Sequence, residues 1–518
     1  MTPDSLSQIL SDFLNGAHAA VVVEDGVIAF DLAESKYTIS GEYNKCLLHL
    51  WSNERNFVRR VLDVEVKATT LRLQVQRMGQ NRPTRLDFCR DRDQRSPAAR
   101  RAARVVYEPR LRRALERNFP GWTVVRLTTS IDLEHSFGPA YLRGWLRQGQ
   151  RALAIVGVND QETQSTIDGA LTCGILWLEA CRVTQQERRV VEGLAMILPK
   201  GMATLTRQRM AHLHPTAAKW SLYEFDQKED ALVPMDTGDC GNITTRLVRA
   251  IDEQLAHDRF AQSVARIRSI LPQSEVVVLS PALISFRCHG LEFAQARIAH
   301  DPRNFESKEE IAFGVGPEER VLNPENEMHF ADLVRLAAAV RRKDGPKNHP
   351  LWRMHPERWM ESLVAGNLEA LDGRLRPEPL YAQVPAFAAA DRAMIDILAT
   401  TREGRLAVIE LKADEDLHLP LQGLDYWSRV AWHQSRGEFA QFGYFSGQEI
   451  SPQKPLLMMV APALHVHPTT DIILRYLSPE IDWELLGIDE HWREEIRVVF
   501  RKRPKRLPAT NAGLAIPA

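Results

Sequence analysis

Apolar residues recur along the chain in two periods, and each predicts its own element. AAVVVEDGVIAFDL (19–32) alternates around Asp25-Gly26 and predicts a hairpin. Residues 42–66 carry Cys46, Leu47, Leu50, Trp51, Phe57, Val58 and Val61 at helical spacing, which predicts a helix. The segment 96–119 is helical in two pieces, with the break at Pro109. Residues 122–129, 152–158 and 193–201 read as strands, and 166–182 as a buried helix. Further on come a helix at about 243–270, a strand at 275–281, a hairpin over 282–298 and a helix over 327–343. KDGPKNHP (343–350) is rich in turn-formers and charge and marks a domain boundary.

Beyond that boundary the pattern is more regular. Residues 355–372 form an amphipathic helix with Trp359, Leu363, Leu368 and Leu371 on or near one face. Strands follow at 381–386, 393–401 and 406–413, then a loop (414–420) and a helix over 421–436. A strand at 455–464, a helix at about 469–477 and a strand at 496–500 close the pattern. The order is α-β-β-β-α-β with a final helix and strand. The expected fold class is α/β and multi-domain, with regions 1–105, 106–235, 236–345 and 346–503 and a disordered tail over 504–518.

Composition changes little in this picture. The 518 residues are 44% hydrophobic and 26% charged with a formal net charge of −1, so the total gives no pointer to a polyanion. The distribution says more. Residues 77–117 are crowded with arginine, and Arg100, Arg101, Arg104, Arg112 and Arg113 are candidates for contact with nucleic-acid phosphates; a solvated helical face is the plainer alternative. Six scattered cysteines without a CxxC pair show no zinc knuckle and no disulfide framework and fit reduced, buried thiols. No signal peptide and no apolar run of membrane-spanning length is visible, so a cytoplasmic protein without a membrane partner is expected.

The chemistry concentrates in two strands. Asp396 sits among Met394, Ile395, Ile397 and Leu398; Glu410 sits among Val408, Ile409 and Leu411, with Lys412 two residues on. Alternate strand residues share a face, so Glu410 and Lys412 point the same way. Charges at the ends of apolar strands need partners. A hard divalent cation such as Mg²⁺, held by Asp396, Glu410 and the Leu411 carbonyl, would supply one, with Lys412 offsetting developing charge. A cross-strand salt bridge near a sheet edge is the alternative without metal. Gln422 and Tyr426 follow on one helical face.

The stretch MIDILATTREGRLAVIELKADEDLHLPLQGLDYWSRV resembles the PD-(D/E)xK nuclease superfamily, in particular RecB-like members and mismatch- or branch-directed endonucleases. The resemblance covers about 150 residues and implies a restriction-endonuclease-like core, a mixed sheet flanked by helices. It implies that Asp396 and Glu410 bind Mg²⁺ or Mn²⁺, that Lys412 assists catalysis and that Gln422 and Tyr426 support the site. It also implies a glutamate from the preceding helix, where Glu357 and Glu361 compete and the following Asn367 and leucines favour Glu357 slightly. Ile395 stands where the family's proline would be. His418, in the loop before the helix, is a further candidate for contact with metal or phosphate.

The expected function is metal-dependent hydrolysis of nucleic acid, DNA before RNA, with homo-oligomerisation compatible. A catalytically weak or inactive binding protein that keeps the fold is the alternative. One internal echo stands outside this core. Residues 107–160 also run helix then strand, with Ile131-Asp132 paralleling Ile395-Asp396 and AIVGVND standing where the E-x-K strand would be. If 106–235 is a second nuclease-like domain, it has lost its Glu and Lys and could only bind or scaffold.

Overall fold

The computed structural model describes residues 2–504 except 16, 18–19, 25–26, 33–34, 43–44, 53–55, 68, 78–82, 91–96, 133–136, 186–188, 228, 239–244, 301–306, 317 and 389–391. The chain is mixed α/β with four sheets. It forms two compact units, each assembled from two separate stretches: 1–95 with 251–359, and 96–250 with 360–518. The stretches 1–105 and 236–345 therefore contribute mainly to one unit, and 106–235 and 346–503 mainly to the other.

In the first unit, seven antiparallel strands run in the order 27–31, 21–24, 83–89, 70–77, 56–66, 45–51, 36–42. Helix Pro3–Leu14 packs on this sheet through Leu6, Leu10 and Phe13. The expected hairpin at 19–32 forms, its turn residues lying outside the described residues. The helix expected over 42–66 does not. That stretch makes strands Lys45–Trp51 and Asn56–Val66, paired to each other. Cys46 and Leu50 fit the helical interval of four, but with Leu48 between them they fit a period of two as well, and pairing with Lys36–Glu42 settles the matter. A five-stranded antiparallel sheet over 275–321 packs with helices Glu253–Arg259, Ala261–Ile270 and Glu327–Val340. The single helix expected over 243–270 starts only at Glu253, where Asp252 caps it by accepting from Leu255 N–H at 3.1 Å, and it divides at Phe260, whose φ of −100° and ψ of 21° are not helical.

The second unit follows one path twice. Strands Thr123–Thr128, Tyr141–Gln148 and Arg151–Val158 are antiparallel. Helix Ala170–Gln185 leads to Val190–Pro199, parallel to Arg151–Val158. Helix Thr204–Met210 leads to Lys219–Asp226, again parallel, and Ala231–Met235 closes the edge antiparallel. After the helix Pro356–Gly366, strands Tyr381–Ala388, Arg392–Thr400 and Leu406–Leu411 repeat the antiparallel trio. Helix Leu419–Ser435, strand Leu456–Pro462, helix Thr470–Arg475 and strand Asp482–Ile488 repeat the parallel half, with Val498–Lys502 antiparallel at the end. One core, with Leu171, Ile175 and Leu178 from one long helix and Leu421, Leu424 and Trp427 from the other, joins the two sheets.

Helix Pro97–Asn118 is continuous, where a break at Pro109 was expected. Proline there removes the hydrogen bond to the Val105 carbonyl, and Val105 is exposed, so water can take its place. Five cysteines are buried free thiols, and Cys240 lies outside the described residues. No helix among the described residues is long and apolar enough to cross a membrane.

Strand Asp482–Ile488 was not anticipated, because Glu484 interrupts its apolar pattern. The structure satisfies that buried carboxylate with Arg374 (2.6 Å), Arg503 (2.9 Å) and Arg501. Arg374 (2.7 Å) and Arg501 also hold Asp372. Burial would raise the Asp372 carboxyl, but hydrogen bonds from Arg374 and Arg501 outweigh it and hold it well below the usual carboxylate range. A carboxyl depressed in the folded state contributes stability above its unfolded pKa of about 3.9, and that contribution fades as pH falls toward the folded value. Asp372→Asn is expected to cost about 2–3 kcal/mol at neutral pH. It should also flatten the loss of thermal stability below pH ~4. Melting curves across pH check this; the same acid limb in both proteins would count against it.

Candidate active site

Strands Arg392–Thr400 and Leu406–Leu411 run through the core with near-continuous apolar sequence, and the polar exceptions cluster at one end. Ile397 pairs with Ile409 at the end of the ladder, and by alternation Asp396 and Glu410, the next residue on each strand, both point to the face opposite to that pair. Directly opposed residues of an antiparallel pair project to the same face. The Leu411 N–H donates to Asp396 Oδ2 at 2.8 Å, which fixes that carboxylate at the end of the ladder. Glu410, only 2% exposed, shares its face with Lys412, whose Nζ lies 3.1 Å from Glu410 Oε1. The Lys412 N–H donates to the Val460 carbonyl at 2.9 Å, which carries the strand's path past the site.

Helix Leu419–Ser435 covers this face. Gln422 and Tyr426 are one turn apart on it. Burial pushes the Tyr426 hydroxyl far above its ordinary value, and the negative charges of Glu410 and Asp396 push it further. The phenol therefore stays protonated beside both carboxylates. Gln422 Oε1 is buried and accepts no hydrogen bond among the described residues. Arg429, one turn beyond Tyr426, is also buried, with an Nη1 that finds no acceptor among the described residues. Sequence reading missed Arg429, although Gln422, Tyr426 and Arg429 at i, i+4 and i+7 form one helical stripe.

The glutamate of the preceding helix is distinguished by position. The two compact units divide inside Pro356–Gly366, between Trp359 and Met360. Glu357 is exposed and falls in the first; Glu361 is 5% exposed and falls in the second, with Asp396 and Glu410. Glu361 Oε1 accepts from Gln383 Nε2 at 2.9 Å. The pairs Ala382 with Ile397 and Val384 with Ile395 place Gln383 opposite Asp396. Gln383 has φ +54°, a conformation rare outside glycine, held here beside the candidate site. Gln383 escaped the sequence reading; its signal is a lone polar residue in the strand YAQVPA.

Of the other candidates, His418, Arg104, Arg112 and Arg113 have partners within the fold. His418 Nδ1 lies 2.9 Å from Thr172 Oγ1, and the ring is partly buried against Gly169. Arg104 makes a bidentate pair with the buried Glu162 at 2.5 and 2.9 Å. Arg113 reaches Asp230 at 3.2 Å and Arg112 reaches Glu108 at 3.7 Å. Arg101 is exposed, and the Arg100 side chain lies outside the described residues. Arg104 and Arg113 thus tie this helix to Glu162 and Asp230.

The donors near Asp396 are hard oxygens, the set that suits Mg²⁺ or Mn²⁺. Among the described residues no cluster of three or more His, Cys, Asp or Glu side chains is disposed to hold a metal ion. Two carboxylates with water and substrate filling the other positions is the usual arrangement for Mg²⁺. The buried, unsatisfied Gln422 Oε1 is an acceptor that such a water would satisfy.

No known family profile and no curated protein matches the chain. The solved EndoMS-dsDNA2 complex is similar over 43% of this chain and 94% of that chain, at 10% identity and a TM-score of 0.15, a likeness too slight to inform the chemistry.

Proposed function

We propose that the second unit is a metal-dependent nuclease whose reactive centre is built from Asp396, Glu410 and Lys412, acting on DNA. What supports this reading is that Asp396 and Glu410, each next to the last ladder pair Ile397 with Ile409, share one face, with Asp396 Oδ2 held at 2.8 Å by the Leu411 N–H and the Lys412 ammonium 3.1 Å from Glu410. Asp396, Glu410 and the Leu411 carbonyl would hold Mg²⁺ or Mn²⁺. When bound, such an ion supplies Lewis acidity toward a phosphodiester oxygen and lowers the pKa of a water molecule. Lys412 holds a positive charge where negative charge develops on the phosphate. Tyr426 keeps its proton and can donate it in a hydrogen bond toward that site. Glu361 and Gln383 orient the neighbouring strand. DNA as substrate follows the motif resemblance.

Metal-dependent breakage of duplex DNA by the full chain tests this. Lys412→Ala is expected to lower the rate by about 10²–10³-fold, with circular dichroism unchanged. A second reading is a protein that binds nucleic acid without cutting it, which the Lys412–Glu410 ion pair at 3.1 Å, a partner for that carboxylate without metal, favours. Metal-independent DNA binding without breakage would select that reading.

A further inference from the structure

The two halves of the second unit correspond residue by residue. A Cβ on Gly423 would meet Leu457 at 3.1 Å and Met459 at 3.4 Å; a Cβ on Gly174 would meet Leu194 at 2.9 Å and Met196 at 2.6 Å. Each long helix therefore crosses its sheet at a glycine over a Leu-x-Met pair. Glu410 neighbours Met459, and Val156 neighbours Met196. Val156 thus takes the place of Glu410, and Val158 that of Lys412. Across the antiparallel ladder, Val156 pairs with Arg143. Arg143, and not Asp132, takes the place of Asp396. On the helix, Cys173 and Trp177 precede and follow Gly174 as Gln422 and Tyr426 do Gly423.

Arg143 is 2% exposed and lies 4.5 Å over Phe137 and 5.7 Å over Trp177. Its Nη2 donates to the Ser130 carbonyl. A fixed cation on aromatic faces stands where the other half presents carboxylates. The halves also meet symmetrically. Leu213, nine residues before Leu222, forms an antiparallel bridge with Leu477, eight before Leu485, and these leucines occupy matching strand positions beside Met196 and Met459. Near-equivalent residues pairing antiparallel mark an approximate twofold axis.

We propose, building on the nuclease reading, that residues 96–250 are an inert partner core fused to the reactive one, so that the chain cuts one strand of a duplex where a pair of equal cores would cut two. The step is a single hydrolysis. The oxygen of water bonds to phosphorus, the bond from phosphorus to one sugar oxygen breaks, that oxygen leaves with a proton, and the remaining proton passes to solvent. Arg143, Val156 and Val158 offer no carboxylate and no ammonium for a second such step.

Two measurements on the full chain test this. With supercoiled circular DNA and Mn²⁺, nicked circles should precede linear ones when protein is limiting; linear DNA without a nicked precursor overturns the proposal while leaving the nuclease reading intact. Electron paramagnetic resonance of Mn²⁺ should show complete loss of tight binding in Glu410→Gln. Tight Mn²⁺ retained in that variant at half its original amount would overturn the inert assignment of the 96–250 core. Absence of any strand breakage overturns the nuclease reading and this proposal with it.

Discussion

Glu410→Gln is expected to abolish metal-dependent strand breakage while the protein stays folded. The substitution keeps the shape of a side chain packed 2% exposed in strand Leu406–Leu411 and removes one charge. A bound cation contributes several kcal/mol of charge stabilisation to phosphodiester hydrolysis, and about 4 kcal/mol corresponds to roughly 10³ in rate. Loss of at least that size is expected with Mg²⁺ and Mn²⁺ alike. The fold should tolerate the change, because neutralising a buried carboxylate also removes its desolvation cost. Lys412 then loses its 3.1 Å ionic partner, while the glutamine amide oxygen can still accept its hydrogen bond. Unchanged cleavage in this variant would end the assignment of the site; a lost melting transition would instead assign Glu410 a structural role.

The second large effect lies away from the chemistry. Arg209, in helix Thr204–Met210, is buried and pairs with Asp425 through Nε at 2.9 Å and Nη2 at 2.7 Å, while Nη1 donates to the Asp168 carbonyl. Asp425 adjoins Tyr426 on the helix that covers the site. Arg209→Met leaves the Asp425 carboxylate without its guanidinium. Removing one partner of a buried pair costs about 3–5 kcal/mol. A domain of this size should then melt on the order of 10 °C lower. The double variant Arg209→Met, Asp425→Leu should recover much of that loss, because apolar replacement of both partners can be close to neutral. Calorimetry of the four proteins gives the coupling; additive losses would show that the pair does not act as one unit.

The candidate face was legible in sequence because it depends on local geometry. Alternation in LAVIELKA puts Glu410 and Lys412 on one side whatever the strand pairs with, and a four-residue interval puts Gln422 and Tyr426 on one side of their helix. Elements with one dominant period were also legible, which covers most of 355–502. Short apolar runs that satisfy both periods were not, as 42–66 shows. Strand Asp482–Ile488 stayed hidden because the arginines that neutralise Glu484 come from residues 374, 501 and 503.

By itself the sequence determined which side chains a single element presents together: Glu410 with Lys412, Gln422 with Tyr426, and the charged ends of apolar strands. Tertiary structure decided everything that needs a register or a partner. It held Asp396 to the Leu411 N–H beside Glu410, brought Glu361 to Gln383, left Glu357 exposed and put Arg143 into the place matching Asp396. The reason is the range of the forces. Periodicity is fixed by the backbone within one element, whereas register and burial are settled by contacts between residues tens to hundreds of positions apart.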